Sequence, residues 1–130
     1  MGTVKEGVKM MENLGKKQWV IPDGFLSSTK NGPYESHESV CVLNLSEQKA
    51  NIEMTIFFED RDPIGGFCVE CLSKRGKHIR LDKLINKDGL VIPKDVPYAL
   101  LVQSEVPIIC QYSRMDVSQP EMTLMTTIPY

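Results

Sequence analysis

Apolar and polar residues alternate along most of this chain in short runs, and the period is two. Between Ala50 and Phe58, Ile52, Met54, Ile56 and Phe58 fall on one face while Asn51, Glu53 and Thr55 fall on the other. That is the pattern of an extended strand buried on one side. Similar runs rich in Val, Ile, Phe, Tyr and Thr lie at Gln18–Ile21, Ser39–Leu45, Phe67–Leu72, Lys77–Leu81, Tyr98–Gln103, Ile108–Ser113 and Leu124–Ile128. Breakers separate them: Gly32-Pro33, Asp62-Pro63, Gly65-Gly66, Pro93, Pro97 and Pro107. No long helical period follows Gly15, so a parallel sheet with crossover helices does not fit. The pattern predicts an all-β fold, an antiparallel β-sandwich of about eight short strands with jelly-roll-like connections.

The first sixteen residues differ. Val4, Val8, Met11 and Leu14 recur at helical spacing among Lys and Glu, which suits either a short amphipathic helix ending near Gly15 or a disordered extension, because short isolated helices are marginal. Two segments result, an N-terminal extension over 1–16 and a β-sandwich domain over 17–130.

Composition narrows the class. A chain of 130 residues with 42% hydrophobic and 25% charged residues is sized and composed for one globular domain. Its net charge of -2 supplies no global positive field for nucleic acid, although a local basic patch remains available. Apolar runs such as Ala99–Val102 are far shorter than the ~20 residues of a membrane span. The charged N-terminus lacks the apolar core of a secretory signal. A cytoplasmic domain without membrane insertion is expected, with its four cysteines (Cys41, Cys68, Cys71, Cys110) as buried reduced thiols.

Several constellations could carry chemistry. Cys68-Val-Glu-Cys71 has metal or redox spacing, but on a strand residues three apart point to opposite faces, and no second cysteine pair completes a site. Ser36-His37-Glu38 places an imidazole beside carboxylates at Glu35 and Glu38, which suits either a hydrogen-bonding site or a surface turn. From Lys74 to Asp82, alternation puts His78, Arg80 and Asp82 on one face and Ile79 and Leu81 on the other. An imidazole, a guanidinium and a carboxylate in a row can bind a hydroxylated or anionic ligand, or form a solvated edge with an internal ion pair. Lys74, Arg75, Lys77 and Arg80 could touch phosphates, but no aromatics are interleaved for base stacking. Gln111, Arg114 and Asp116 follow an apolar strand where it would leave the core, and Arg114 with Asp116 reads as an ion pair. Phosphate loops, nucleophile elbows, HExxH and EF-hand spacings are missing, and with only His37 and His78 no HxH pair exists. No catalytic residue, metal ligand or cofactor is expected.

Taken in order, a set of motifs along the chain resembles the Anabaena sensory rhodopsin transducer family. They are Trp19-Val-Ile-Pro-Asp-Gly24, Gly32-Pro33, Ser36-His37-Glu38 with Val40-Cys-Val-Leu-Asn44, Thr55-Ile56, and Asp60 to Pro63. Arg75-Gly-Lys-His-Ile-Arg80 with Asp82, Val106-Pro-Ile108, Gln111-Tyr-Ser-Arg114 with Asp116, and Thr126-Thr-Ile-Pro-Tyr130 continue the series. The match spans roughly residues 17 to 130; no single motif is specific, but their order and spacing are.

This resemblance implies a small soluble β-sandwich, a homotetramer, without established catalytic activity. It implies a signalling role for a binding domain whose ligand is a small polar molecule such as a sugar, or else docking to a membrane receptor or DNA. Carried over position by position, the implied ligand residues are His37, Glu38, Arg75, His78, Arg80, Asp82, Gln111, Arg114 and Asp116. Trp19 could add a stacking face for a sugar, or belong to the core. No residue points to a rhodopsin partner.

Overall fold

The computed structural model describes residues 14–130. Seven strands are present: β1 (Lys16–Gly24), β2 (His37–Asn44), β3 (Ala50–Phe57), β4 (Ile64–Cys71), β5 (Arg75–Arg80), β6 (Tyr98–Asp116) and β7 (Thr123–Thr127). One 3-10 turn, Leu81–Lys83, follows β5. Every pairing is antiparallel. The all-β sandwich read from alternation is therefore present, with seven strands instead of eight. The extension over residues 1–16 falls almost wholly outside the described residues.

The missing strand is a fusion. Tyr98–Gln103 and Ile108–Ser113 are one continuous strand of 19 residues, β6. Its first half pairs with β3, which carries β4 on its far side, and with β1, whose first residue Lys16 reaches past Pro107 to Ile108 across a register shift. Its second half pairs with β2, which carries β5, and with β7. Pairing to β3 ends at Ser104 and pairing to β2 begins at Ile109, so Pro107 sits where β6 leaves one layer for the other. A proline there sacrifices no ladder bond to either strand.

Alternation in β6 runs unbroken across that point. Tyr98, Leu100, Val102, Ser104, Val106, Ile108, Cys110 and Tyr112 are all buried. They meet Ile52, Met54, Ile56 and Phe67 from β3 and β4, Val40 and Val42 from β2, Ile79 from β5, and Trp19 and Ile21 from β1. Trp19 belongs to this core: it is 6% exposed, and its indole N–H donates to the Ile108 and Lys16 carbonyls. It offers no stacking face.

Most strand boundaries shift by one to three residues from the sequence pattern, and two of the shifts have clear local reasons. Gly65-Gly66 lies inside β4 instead of breaking it; Gly66 takes a positive φ of 78° beside the register shift between Met54 and Ile56, the usual place for glycine in an irregular ladder. Leu81 leaves β5 for the 3-10 turn yet stays buried. The cysteines also differ from expectation, since Cys71 and Cys110 are buried while Cys41 is half-buried and Cys68 exposed.

Candidate functional site

Directly opposed residues of an antiparallel pair share a face. On β2 the outward positions His37, Ser39, Cys41 and Leu43 alternate with buried Glu38, Val40, Val42 and Asn44. Opposite the outward set stand Arg80, His78 and Gly76 on β5 and Met115, Ser113, Gln111 and Ile109 on β6. Thr126 and Leu124 of β7 extend the same rows. Four of the sequence-derived residues, His37, His78, Arg80 and Gln111, thus meet on one open sheet face around Ser39, Cys41 and Ser113.

Arg80 is held rigidly on this face. Its Nε and Nη2 donate to the two oxygens of Asp82 at 2.8 and 2.7 Å. The Asp82 side chain is 5% exposed against 39% for Arg80. Burial works against the Asp82 charge, but the Arg80 hydrogen bonds and charge outweigh it and hold the carboxyl below its ordinary value. His37 Nδ1 lies 3.2 Å from the Glu35 carbonyl. His78 and Gln111 are exposed. His78 borders two shallow depressions, one of about 540 Å³ with Cys68, Glu70, Lys77, Arg80 and Lys83, the other of about 260 Å³ with Cys41, Leu43, Gln111 and Ile128.

The remaining residues go elsewhere. Glu38, next in sequence to His37, points inward and is fully buried. Its carboxylate accepts from the Phe25 backbone N–H at 3.1 Å, from the Tyr98 and Tyr112 hydroxyls, and from Arg114 Nε at 2.6 Å. Arg114 Nη2 also donates to the Asp23 carbonyl at 3.2 Å. Burial, then the Glu38 charge and hydrogen bond, push the Tyr98 hydroxyl well above its ordinary value. Burial and the Glu38 hydrogen bond do the same at Tyr112. For Arg114, burial opposes the charge, but the bonds to Glu38 and Tyr112 win and the guanidinium is raised. All of Glu38's capacity is used by the chain itself.

Two expected partnerships are replaced. Arg114 pairs with Glu38 and not with Asp116, whose carboxylate accepts from the Ser118 N–H at 2.8 Å. Arg75 lies at the start of β5 opposite Asn44, with its guanidinium donating to the Lys74 carbonyl, away from the His78–Arg80 face. Cys68 is exposed and Cys71 buried, on opposite faces as strand geometry requires. Among the described residues no group of three or more His, Cys, Asp or Glu could hold a metal ion.

Sequence reasoning missed Tyr98 and Tyr112 as partners of Glu38, although each occupies an inward position in β6 and a buried tyrosine hydroxyl needs a partner. It also missed Asn44, which donates to the Gln48, Cys71 and Leu72 carbonyls and accepts from Ser46, closing the turn from β2 to β3. A depression of about 730 Å³ lies away from all these residues and is lined by Lys16, Gln18, Asn51, Glu53, Gln103 and Glu105. It is an open groove in which Glu105 is already engaged by Asn51 at 2.6 Å.

A long strand shared by two antiparallel layers, with a buried Glu–Tyr–Tyr–Arg cluster, defines a small all-β domain. A family model described as the Anabaena sensory rhodopsin transducer matches residues 14–130, and the chain belongs to that family. Two solved structures are similar over most of their length. "Crystal Structure of Thermotoga maritima 1070" superposes with a TM-score of 0.80 at 41% identity, covering 90% of this chain and 95% of that one. "Anabaena sensory rhodopsin transducer" superposes with a TM-score of 0.71 at 37% identity, covering 79% of this chain and 90% of that one. Comparison with curated proteins gives no match.

Proposed function

We propose that this protein is a non-enzymatic cytoplasmic binding and signalling module that senses a small polar metabolite of the sugar class. The observation that carries the reading is the collection of His37, His78, Arg80 and Gln111 on one open face, with Arg80 fixed by Asp82. A guanidinium held by two bonds can present its outer N–H groups to a hydroxylated or anionic ligand without losing much side-chain entropy on binding. A role without catalysis fits the same geometry, because both buried carboxylates, Glu38 and Asp82, are spent on internal partners and neither is free to move a proton. Among the described residues no helix is long and apolar enough to cross a membrane.

A second reading, docking to a receptor, DNA or further copies in a homotetramer, draws on different residues. β7 is exposed along its whole length, and Leu124 (71% exposed) and Ile128 (63%) add apolar surface at the edge of the same face, Ile128 beside Cys41, His78 and Gln111. Exposed apolar surface of this kind favours a protein partner.

A thermal-shift screen against sugars, sugar acids and sugar phosphates, with oligomeric state measured in parallel, separates the two. A ligand at 100 times its Kd adds ~2.7 kcal/mol, a shift of several degrees. The sensor reading expects a hit on one sugar class that Arg80→Ala and His78→Ala abolish. A blank screen on an intact oligomer, with Leu124→Asp producing monomers, overturns it in favour of docking.

A further inference from the structure

At the end of the first layer, where β1 finishes, β6 begins and β3 finishes, a depression of about 350 Å³ is lined by Pro22, Asp23, Phe57, Phe58, Glu59 and Tyr98, with Pro97 and Ala99 beside them. It shares no residue with the face discussed above. Its existence depends on Gly24: the Tyr98 ring lies where a Cβ of Gly24 would be, 2.4 Å from Cζ. The aromatic ring can therefore lie against the backbone and form the floor.

The chemistry of the lining is one-sided. Three aromatic rings and two prolines make the walls, and the only charged side chains are the carboxylates of Asp23 and Glu59. Neighbouring cations are committed elsewhere. Arg114 is bound to Glu38 at 2.6 Å and reaches the Asp23 carboxylate only at 3.9 Å. Arg61 is paired with Asp60 at 3.0 Å. Asp23 is 83% exposed at its side chain and free to turn toward a ligand. Glu59 has no ion-pair partner among the described residues. The Phe58 ring already carries the chain's own Arg61 guanidinium, 5.3 Å from its centroid, which shows that a guanidinium suits an aromatic ring here and leaves Phe57, 39% exposed, as the open ring.

We infer that this depression is a binding site for a guanidinium carried on an aliphatic stem, stacked on Phe57 and neutralised by Asp23 and Glu59. The aromatic quadrupole attracts the flat cation, the carboxylates accept its N–H groups, and the prolines and Ala99 pack the methylene stem. Anions are disfavoured, because the lining carries two carboxylates and no cationic side chain. The ligand is either a free alkylguanidinium or an arginine side chain presented by a peptide.

The test is calorimetric or NMR titration of the whole chain with acetyl-arginine amide against its neutral isostere, acetyl-citrulline amide. The arginine probe is expected to bind at least about tenfold more tightly. Phe57→Ala, at an already exposed position, and the double change Asp23→Asn with Glu59→Gln should each remove most of that difference and leave the fold's melting temperature within a few degrees. Agmatine binding better than an arginine tripeptide identifies the ligand as a free metabolite, and the reverse identifies a peptide; either supports the site. Equal binding of the arginine and citrulline probes, or no binding by any guanidinium, overturns it. So does a Phe57→Ala protein that binds like the parent. None of these outcomes bears on the His78–Arg80 face, whose own screen stands separately.

Discussion

Arg114 donates its Nε to Glu38 at 2.6 Å, joining a guanidinium that is 24% exposed to a carboxylate that is wholly buried. The pair ties the second half of β6 to the start of β2, and through the Phe25 N–H and Asp23 carbonyl it fastens the end of β1 to both. Its stability contribution follows from burial. Removing the cation leaves an uncompensated carboxylate in the core, and removing the carboxylate leaves two tyrosine hydroxyls and one backbone N–H without an acceptor. Glu38→Ala or Arg114→Ala is expected to cost about 3–5 kcal/mol. The measurement is the urea midpoint at constant m-value. A loss below about 1 kcal/mol for Glu38→Ala would mean the cluster is not closed in solution.

The tyrosines give a second test with a defined sign. Tyr98 and Tyr112 are held protonated above their ordinary value of about 10, so the folded state keeps protons that the unfolded chain releases. Their contribution is fully present below pH about 10 and is lost as pH rises beyond it. Tyrosinate absorbance should therefore develop in two stages, with Tyr98 and Tyr112 appearing only as the protein unfolds. Reversible ionisation of all four tyrosines of the chain in the native state would contradict the burial of their hydroxyls.

The period-two pattern made the fold legible, because a strand buried on one side must show it. The site was legible only in part. Alternation within one strand and its exit reaches as far as the Arg80–Asp82 pair, which the structure joins through two hydrogen bonds, but Asp82 lies in the turn after β5 with its side chain buried and off the face that His78 occupies. Linking His37 with Glu38 failed by the same rule, because neighbours on a strand face opposite ways. Tyr98 and Tyr112 could not be tied to Glu38 from the sequence, since those contacts span 60 and 74 residues and depend on the pairing of β2 with β6. The fused strand was hidden by Pro107 and by Ser104 in an apolar phase, although the phase itself never slips.

Acid stability provides a third prediction, centred on Asp82. Its carboxyl is held below the ordinary value of about 3.9, so its contribution is present above that pH and is lost as pH falls through the lower, folded value. Arg80 is 39% exposed, and solvent screening limits the pair to about 1 kcal/mol. Asp82→Asn should be less stable than the parent at pH 7, and the two proteins should converge as pH drops into the acid limb. Denaturant midpoints measured across that range read the convergence directly. A gap that stays constant with pH would assign the loss to packing instead of charge.

Pro107 supplies the last prediction, because its position separates two ideas of what holds β6 together. If β6 is one strand passing between layers, its proline lies where neither β3 nor β2 requires a backbone N–H. Pro107→Ala should then change stability by no more than about 1 kcal/mol, the unfolded-state entropy of one proline. The same residue type introduced at Val102, which pairs with Trp19 on one side and Met54 on the other, should cost about 3 kcal/mol or more and uncouple the first layer. Were the two segments independent strands joined by a proline turn, the order would reverse in part: Pro107→Ala would loosen the turn, and amide exchange would show the ladder around Val102 and the ladder around Cys110 opening with different free energies. One common opening free energy for both ladders in the parent protein is the outcome expected of a single strand that serves both layers.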